Sequence, residues 1–458
     1  MTEQKTGFAY FKEVGIGAVA GVVTLGLIIA GYGLSGGQPP AAQPTATETP
    51  TATPSQSTSA AANSRQCSVA EQVAAFTPER LQALVVNAKT DEVLFDRSAD
   101  IPSSTASTMK LLTAAAALNA LGPNYRAETR VYQDATDPGT IILVGGGDPT
   151  LSRVAAGKQS VYRDAPKLST LAIQVTQKMA GTPITNIVVD GSLFTGPSWD
   201  ASWERSEQTQ GYMSEVTALQ IDGDRTNPSA ETSPRSKTPV MNAGKYFKTA
   251  LGAAAKGATV SIGTAPDDAT QLAKTASQPI SKWIQHMLQV SDNTEAEALA
   301  RLISLDQGFD GSFSSLNAAY KKALASTQID LTSVVVKDGS GLSDFNAVSP
   351  QTMVALMKLV YGAQGNFALI KQALPVSAES GSLASRFKGD NLDAAGKVHA
   401  KTGWIKKGYT LVGYTDAKDT TPLLFAVYAL GTVTDESKQK IDNLVTAFYR
   451  CGDQLSNE

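Results

Sequence analysis

Ser107 and Lys110 stand three residues apart at the start of a helix-forming run, STASTMKLLTAAAALNALG. That spacing places both on one helix face, a turn apart. A serine hydroxyl is a weak nucleophile and needs a neighbouring base. A lysine can be that base only when its proton is held loosely, as burial or a second nearby cation arranges. A serine at a helix N-terminus also favours an anionic intermediate there. The pattern alone is weak, because Ser437-x-x-Lys440 repeats it on what reads as a solvated helix face. Ser291-x-Asn293 and Lys401-Thr402-Gly403 have doubles too, in Ser315-x-Asn317 and Lys5-Thr6-Gly7. The specific feature is the ordered set: a serine-lysine pair at a helix start, a serine-asparagine break between helices, and a Lys-Thr-Gly on a strand.

Other chemistries have fewer residues to work with. His286 and His399 are the only histidines and Cys67 and Cys451 the only cysteines, too few ligands for a metal site built from them. Gly145-Gly146-Gly147-Asp148 is followed by no Gly-Lys-Ser/Thr and reads as a tight turn rather than a phosphate loop. Asp222-Gly223-Asp224 lacks the rest of a calcium loop. Asp338 to Gly341 reads as a structural loop bordering a cleft. His399 reads as a strand-face histidine and His286 as helix packing. A net charge of −3 offers no basic excess for nucleic acid.

The elements that must position these residues follow from periodicity. Leu81 to Asp100 alternates and turns at Lys89-Thr90-Asp91, as a β-hairpin does. Ser107 to Leu121 is the helix, stopped by Gly122. ETRVY, TIILV, ITNIVVD and ATVSIG read as strands, and MNAGKYFKTALGAAAKG as a helix. Ser291-Asp292-Asn293 interrupts two amphipathic helical runs. AGKVHAKTGWIKKGYTLVGYTD and TPLLFAVYALG read as two long antiparallel strands, and ESKQKIDNLVTAFYRC as a closing helix. The ends are helix plus sheet and the middle is strand-rich, which suggests an α/β domain interrupted by another. Residues 225–239 form a polar loop.

Residues 14–34 are uncharged and apolar, about the ~20 residues needed to cross a bilayer. Lys5 and Lys12 precede them and no Lys or Arg follows until Arg65, so the N-terminus is expected in the cytoplasm. An uncleaved anchor is favoured over a signal peptide, since no Ala-x-Ala site follows at once. Residues 35–65 are rich in Pro, Thr, Ala and Ser and cannot bury enough apolar area to offset ordering entropy. They read as an extended tether. Lys5-Thr6-Gly7 is thereby a short cytoplasmic stub. With the rest outside, Cys67 and Cys451 can oxidise into a bond worth the upper end of ~2–5 kcal/mol; two separate buried thiols are the alternative.

The ordered triple is the signature of penicillin-recognising serine enzymes. From about Cys67 to Cys451 the chain resembles the class C, low-molecular-mass penicillin-binding proteins, the D-Ala-D-Ala carboxypeptidase/endopeptidase group of peptidase family S13. ASTMKLLTAAAALNALGPNY, LVGGGDPTLS, VVDGSLFTGPSW, SDNTEAEALARL, DGSGLSDFNAVSP and AKTGWIKKGYTLVGY carry the likeness, in that order. The anchor and tether resemble actinobacterial members.

The resemblance implies an α/β (α+β) transpeptidase-like domain, an antiparallel sheet flanked by helices, over 66–130 and 267–458. A strand-rich inserted domain at 131–266 interrupts it, and a transmembrane helix at 14–34 follows a cytoplasmic tail, 1–13. It implies that Ser107 attacks the penultimate D-Ala carbonyl and that Lys110 takes its proton. Ser291, near Lys401, would relay a proton to the leaving amine, and Asn293 would hold the substrate backbone. Lys401 and Thr402 would bind the terminal carboxylate, and Gly403 would let the strand approach the substrate closely. The Ser107 and Trp404 N–H groups would form an oxyanion hole. The implied partners are peptidoglycan stem peptides, β-lactams as covalent ligands and the membrane; no metal or cofactor is called for. Trp404 departs from relatives that carry Ser or Thr there. Trp keeps the backbone donor and loses the hydroxyl, which leaves endopeptidase action or weak activity open. A wall-binding scaffold and a β-lactamase are the rival readings.

Overall fold

The computed structural model describes residues 65–457. The apolar segment 14–34, the tether up to Ser64 and the first Lys-Thr-Gly lie outside them. Arg65 is already anchored, donating to the Asp453 carbonyl at 2.8 Å and pairing with Glu92 at 2.6 Å.

The strands run β1 (Arg80–Asn87), β2 (Val93–Arg97), β3 (Glu128–Gln133), β4 (Thr140–Val144), β5 (Asn186–Asp190), β6 (Thr259–Ile262), β7 (Thr270–Ala276), β8 (Val398–Ile405), β9 (Gly408–Asp416) and β10 (Pro422–Leu430). They form two sheets, β2-β1-β10-β9-β8 and β6-β5-β4-β3-β7.

The first sheet is antiparallel throughout. β10 is buried along its length, as a central strand covered on both faces must be. Its side chains alternate between two cores. Leu424, Ala426 and Tyr428 join the layer holding the Met109–Ala120, Ile280–Val290, Asn293–Asp306 and Pro350–Tyr361 helices. Leu423, Phe425 and Val427 face the Asp435–Cys451 helix, where Phe95 and Phe448 lie 5.4 Å apart. Truncating Phe448 to Ala would cost about 3–5 kcal/mol. Cys67 and Cys451 are disulfide-bonded with Cα atoms 5.4 Å apart, which ties the first described residues to the end of that helix.

The stretch expected as one long strand from Ala395 onward is two, β8 and β9, turning at Lys406-Lys407. Apolar residues alternate on both sides of that turn, so periodicity runs through it. The second sheet pairs β3 with β7, so it spans 128–276 rather than 131–266. β4–β5 and β5–β6 are parallel. Parallel neighbours need crossovers, and the Leu168–Met179 and Pro239–Leu251 helices make them, packing on the sheet through Leu171, Val175 and Phe247. The middle region is therefore as helical as it is stranded. Among the described residues no single helix is long and apolar enough to cross a membrane.

Candidate active site

Ser107 lies in a 3-10 turn, Ala106–Thr108, that leads into the Met109–Ala120 helix. Ala106 before it has φ +46°, a left-handed conformation costly for alanine. The turn is held from below, because the Thr105 carbonyl accepts from Thr410 Oγ1 at 2.7 Å. From Met109 to Leu118 that helix is buried on every side, and Lys110 is its one charged residue.

Lys110 Nζ is 0% exposed and has three partners: Ser107 Oγ at 2.9 Å, Asn293 Oδ1 at 2.7 Å and the Ser340 carbonyl at 2.7 Å. Two of these can only accept hydrogen bonds. Asn293 is fixed in that sense, since its Nδ2 donates to the Tyr212 carbonyl at 3.1 Å. A neutral amine therefore gives its two hydrogens to Asn293 and Ser340 and turns its lone pair to the Ser107 hydroxyl. Burial, which penalises the ammonium, brings Lys110 down to about 8 against the pull of Asp338, Glu297 and Asp292. Glu297 and Asp338 are themselves buried together behind the site and both raised, Glu297 to about 8. Burial and the neighbouring Asp338 favour the neutral form of Glu297, which weakens its hold on Lys110.

The Ser-Asp-Asn break has a local cause. The Ile280–Val290 helix ends at Ser291, which takes φ +64°. Asp292 then caps the Asn293–Asp306 helix, accepting from Glu295 N at 2.9 Å. Asn293 is thus the first residue of a new helix, and the Ser291 hydroxyl accepts from Lys401 Nζ at 2.9 Å. Lys401 is 0% exposed and held well below its ordinary value, by burial first and then by Lys110. On β8, Gly403 passes against the nucleophile's turn. A Cβ there would sit 2.9 Å from Ser107 N and 2.9 Å from the Thr105 carbonyl. The close approach that Gly403 makes in this structure is to the turn. Ser107, Ser291, Asn293, Thr402, Gly403 and Trp404 line one cleft of about 670 Å³. The arrangement suits an acyl transfer: a serine on a helix start, a loosely protonated amine against it, and a second lysine-serine pair beside it.

The chain matches the D-Ala-D-Ala carboxypeptidase 3 (S13) family over residues 66–236 and 229–450. It belongs to that family. A carboxypeptidase of Mycobacterium tuberculosis is 33% identical over 401 residues, 86% of each chain. The carboxypeptidase DacB of Mycolicibacterium smegmatis is 31% identical over 80% of each. A D-alanyl-D-alanine carboxypeptidase of Actinomadura sp. is 27% identical over 72% of this chain and 74% of its own. In fold, penicillin binding protein 4 of Haemophilus influenzae superposes with a TM-score of 0.69 at 20% identity, over 81% of this chain and 97% of that one.

The two motif doubles among the described residues are structural. Ser437 belongs to the capping box of the last helix and Lys440 pairs with Glu79 at 2.8 Å. Ser315 bonds Ser304, and Asn317 accepts from Val336 N. His399 stacks on Tyr414, centroids 4.8 Å apart. Among the other residues at the site, Ser340 lies in the loop, Asp338 to Gly341, that reads from sequence as bordering a cleft. Ser340 contributes a backbone carbonyl, which no letter encodes. Glu297 Oε1 and Oε2 accept from Ser340 N and Gly339 N and so hold that carbonyl in place. Arg225 opens the loop read as polar, yet it is buried and pairs with Asp292 at 2.5 Å inside the Ser-Asp-Asn break.

His286, Asp292 and Glu295 bring ligand atoms within 4.8 Å of one another. A metal would need a neutral imidazole. Burial opposes charge on His286, but the adjoining Glu295 and Glu231 raise it to about 11. Arg225 already supplies the cation that Asp292 needs, so the cluster works as an ion-pair network around the break.

Proposed function

We propose that this protein is a serine-type D-Ala-D-Ala carboxypeptidase/DD-endopeptidase of peptidoglycan, acting through an acyl-enzyme on Ser107. The observation that carries the reading is the three-way contact of Lys110 Nζ, which leaves its lone pair for Ser107 and no other group. Ser107 Oγ bonds to the carbonyl carbon of the penultimate D-Ala, and its proton passes to Lys110. The Ser107 and Trp404 N–H groups receive the oxyanion, a contribution worth several kcal/mol in such sites. The C–N bond then breaks, and the leaving amine takes a proton through Ser291, which Lys401 holds. Asn293 aligns the substrate backbone. Water cleaves the ester and restores Ser107. A β-lactam enters the same sequence and stalls as an ester on Ser107.

The shared membership with carboxypeptidases of actinobacteria supports a cell-wall setting. The same reading places residues 14–34 in the membrane, with the folded part held outside by the tether. The scaffold reading has one observation in its favour, the missing hydroxyl at Trp404. Mass spectrometry of a stem pentapeptide and of a D-Ala cross-linked dimer incubated with the full chain decides between them. Released D-Ala or a cleaved cross-link supports the enzyme; neither product supports the scaffold.

A further inference from the structure

Successive side chains of β8 point to opposite faces. Lys401 turns to Ser291, and Thr402 and Trp404 share the other direction, both lining the cleft. A substrate carboxylate beside Thr402 thus meets an indole where a second hydroxyl would stand. Another hydroxyl is nevertheless there, from a different part of the chain. Ser382 lies on the Gly381–Leu383 turn. Gly381 has φ +55°, and a Cβ there would come within 2.7 Å of the Gln289 carbonyl oxygen. The turn is thus pressed onto the end of the helix that runs into Ser291, while its other side packs on β8. Only glycine permits that wedge, and the wedge brings Ser382 into the cleft.

Thr402 Oγ1 donates to Ser382 Oγ at 2.7 Å. The threonine proton is therefore committed. The Ser382 proton has no acceptor among the described residues, and its side chain is only partly buried, facing the cleft. We propose that Ser382 is a substrate-binding residue, donating its hydroxyl hydrogen to the terminal carboxylate of the peptide, carried by the leaving D-Ala. Accepting from Thr402 strengthens Ser382 as a donor, since chained hydrogen bonds polarise one another. Thr402 acts through Ser382. Arg386, four residues on, also borders the cleft, but Asp442 takes it at 3.0 Å through Nε and 2.5 Å through Nη2, so its charge is already matched. The assignment rests on the peptidase reading above and adds a recognition residue to it.

The test compares two substrates on the full chain, an N-acylated peptide ending in Lys-D-Ala-D-Ala and the same peptide as its C-terminal amide. Ser382→Ala is expected to lower kcat/KM on the acid by about 10- to 100-fold, the range for a hydrogen bond to a charged group, mostly through KM. On the amide the loss is expected to be smaller, about 2- to 10-fold, the range for a hydrogen bond between neutral groups. Ser382→Thr, which restores the hydroxyl, recovers the acid. Equal losses on both substrates, or an acid rate matching wild type, overturn the Ser382 assignment alone. A wild type that turns over neither peptide and takes no penicillin overturns the peptidase reading and this one with it.

Discussion

Lys110 should set the pH dependence of acylation. Its neutral form is the base, and burial brings it down to about 8 from an ordinary 10.5. Activity is therefore gained as pH rises through that value and lost below it. A group titrating near 8 is about one-tenth neutral at pH 7 and about nine-tenths neutral at pH 9. The second-order rate of labelled-penicillin acylation should rise about tenfold over that range and level off. An unshifted lysine would give about a hundredfold rise with no plateau. Asn293→Asp supplies the perturbation. It puts a carboxylate where Oδ1 now sits 2.7 Å from Nζ, and such a neighbour raises a lysine by about 1–3 pH units. The inflection should move up by that amount, whatever the loss in absolute rate. Its position is the readout, taken from acylation rates between pH 6 and 10. A flat wild-type profile, or the same inflection in both proteins, would refute the assignment of Lys110 as base.

Three further outcomes follow from the geometry. Arg225→Met strands Asp292 as a buried, unpaired charge, so unfolding free energy should fall by about 3–5 kcal/mol, with acylation slowed as Ser291 loses its setting; adding Asp292→Asn should recover part of the stability in denaturant titrations. Gly403→Ala pushes a methyl against Ser107 N and the Thr105 carbonyl, backbone atoms that cannot turn away; acylation should fall at least about a hundredfold for a misplaced nucleophile while circular dichroism stays native. Replacing Cys67 and Cys451 together by Ser should lower stability by about 2–5 kcal/mol, seen as a lower melting temperature, with acylation at 25 °C little changed.

The site was legible in the sequence where contact follows from local spacing. Ser107 and Lys110 meet because they lie a helical turn apart, and Ser291-Asp292-Asn293 acts as one unit because a left-handed residue, a cap and a helix start are consecutive. The order of the three motifs supplied the rest. The supports around them come from distant segments and left no such trace. The Ser340 carbonyl is backbone. Ser382 reaches Thr402 only because Gly381 lets its turn wedge against Gln289. Arg225 sits in a stretch whose composition reads as solvated, yet tertiary packing buries it against Asp292. In the fold, short apolar runs such as IILV and IVVD do not reveal whether their neighbours run parallel. The helices of the middle region became crossovers only once that pairing was known.

The most direct measurement is intact-protein and peptide mass spectrometry of the full chain after incubation with a labelled penicillin. A single covalent adduct, mapped to Ser107 and absent in Ser107→Ala, is the predicted result. A folded wild type that takes no label, or a Ser107→Ala protein labelled to the same extent, would contradict the account.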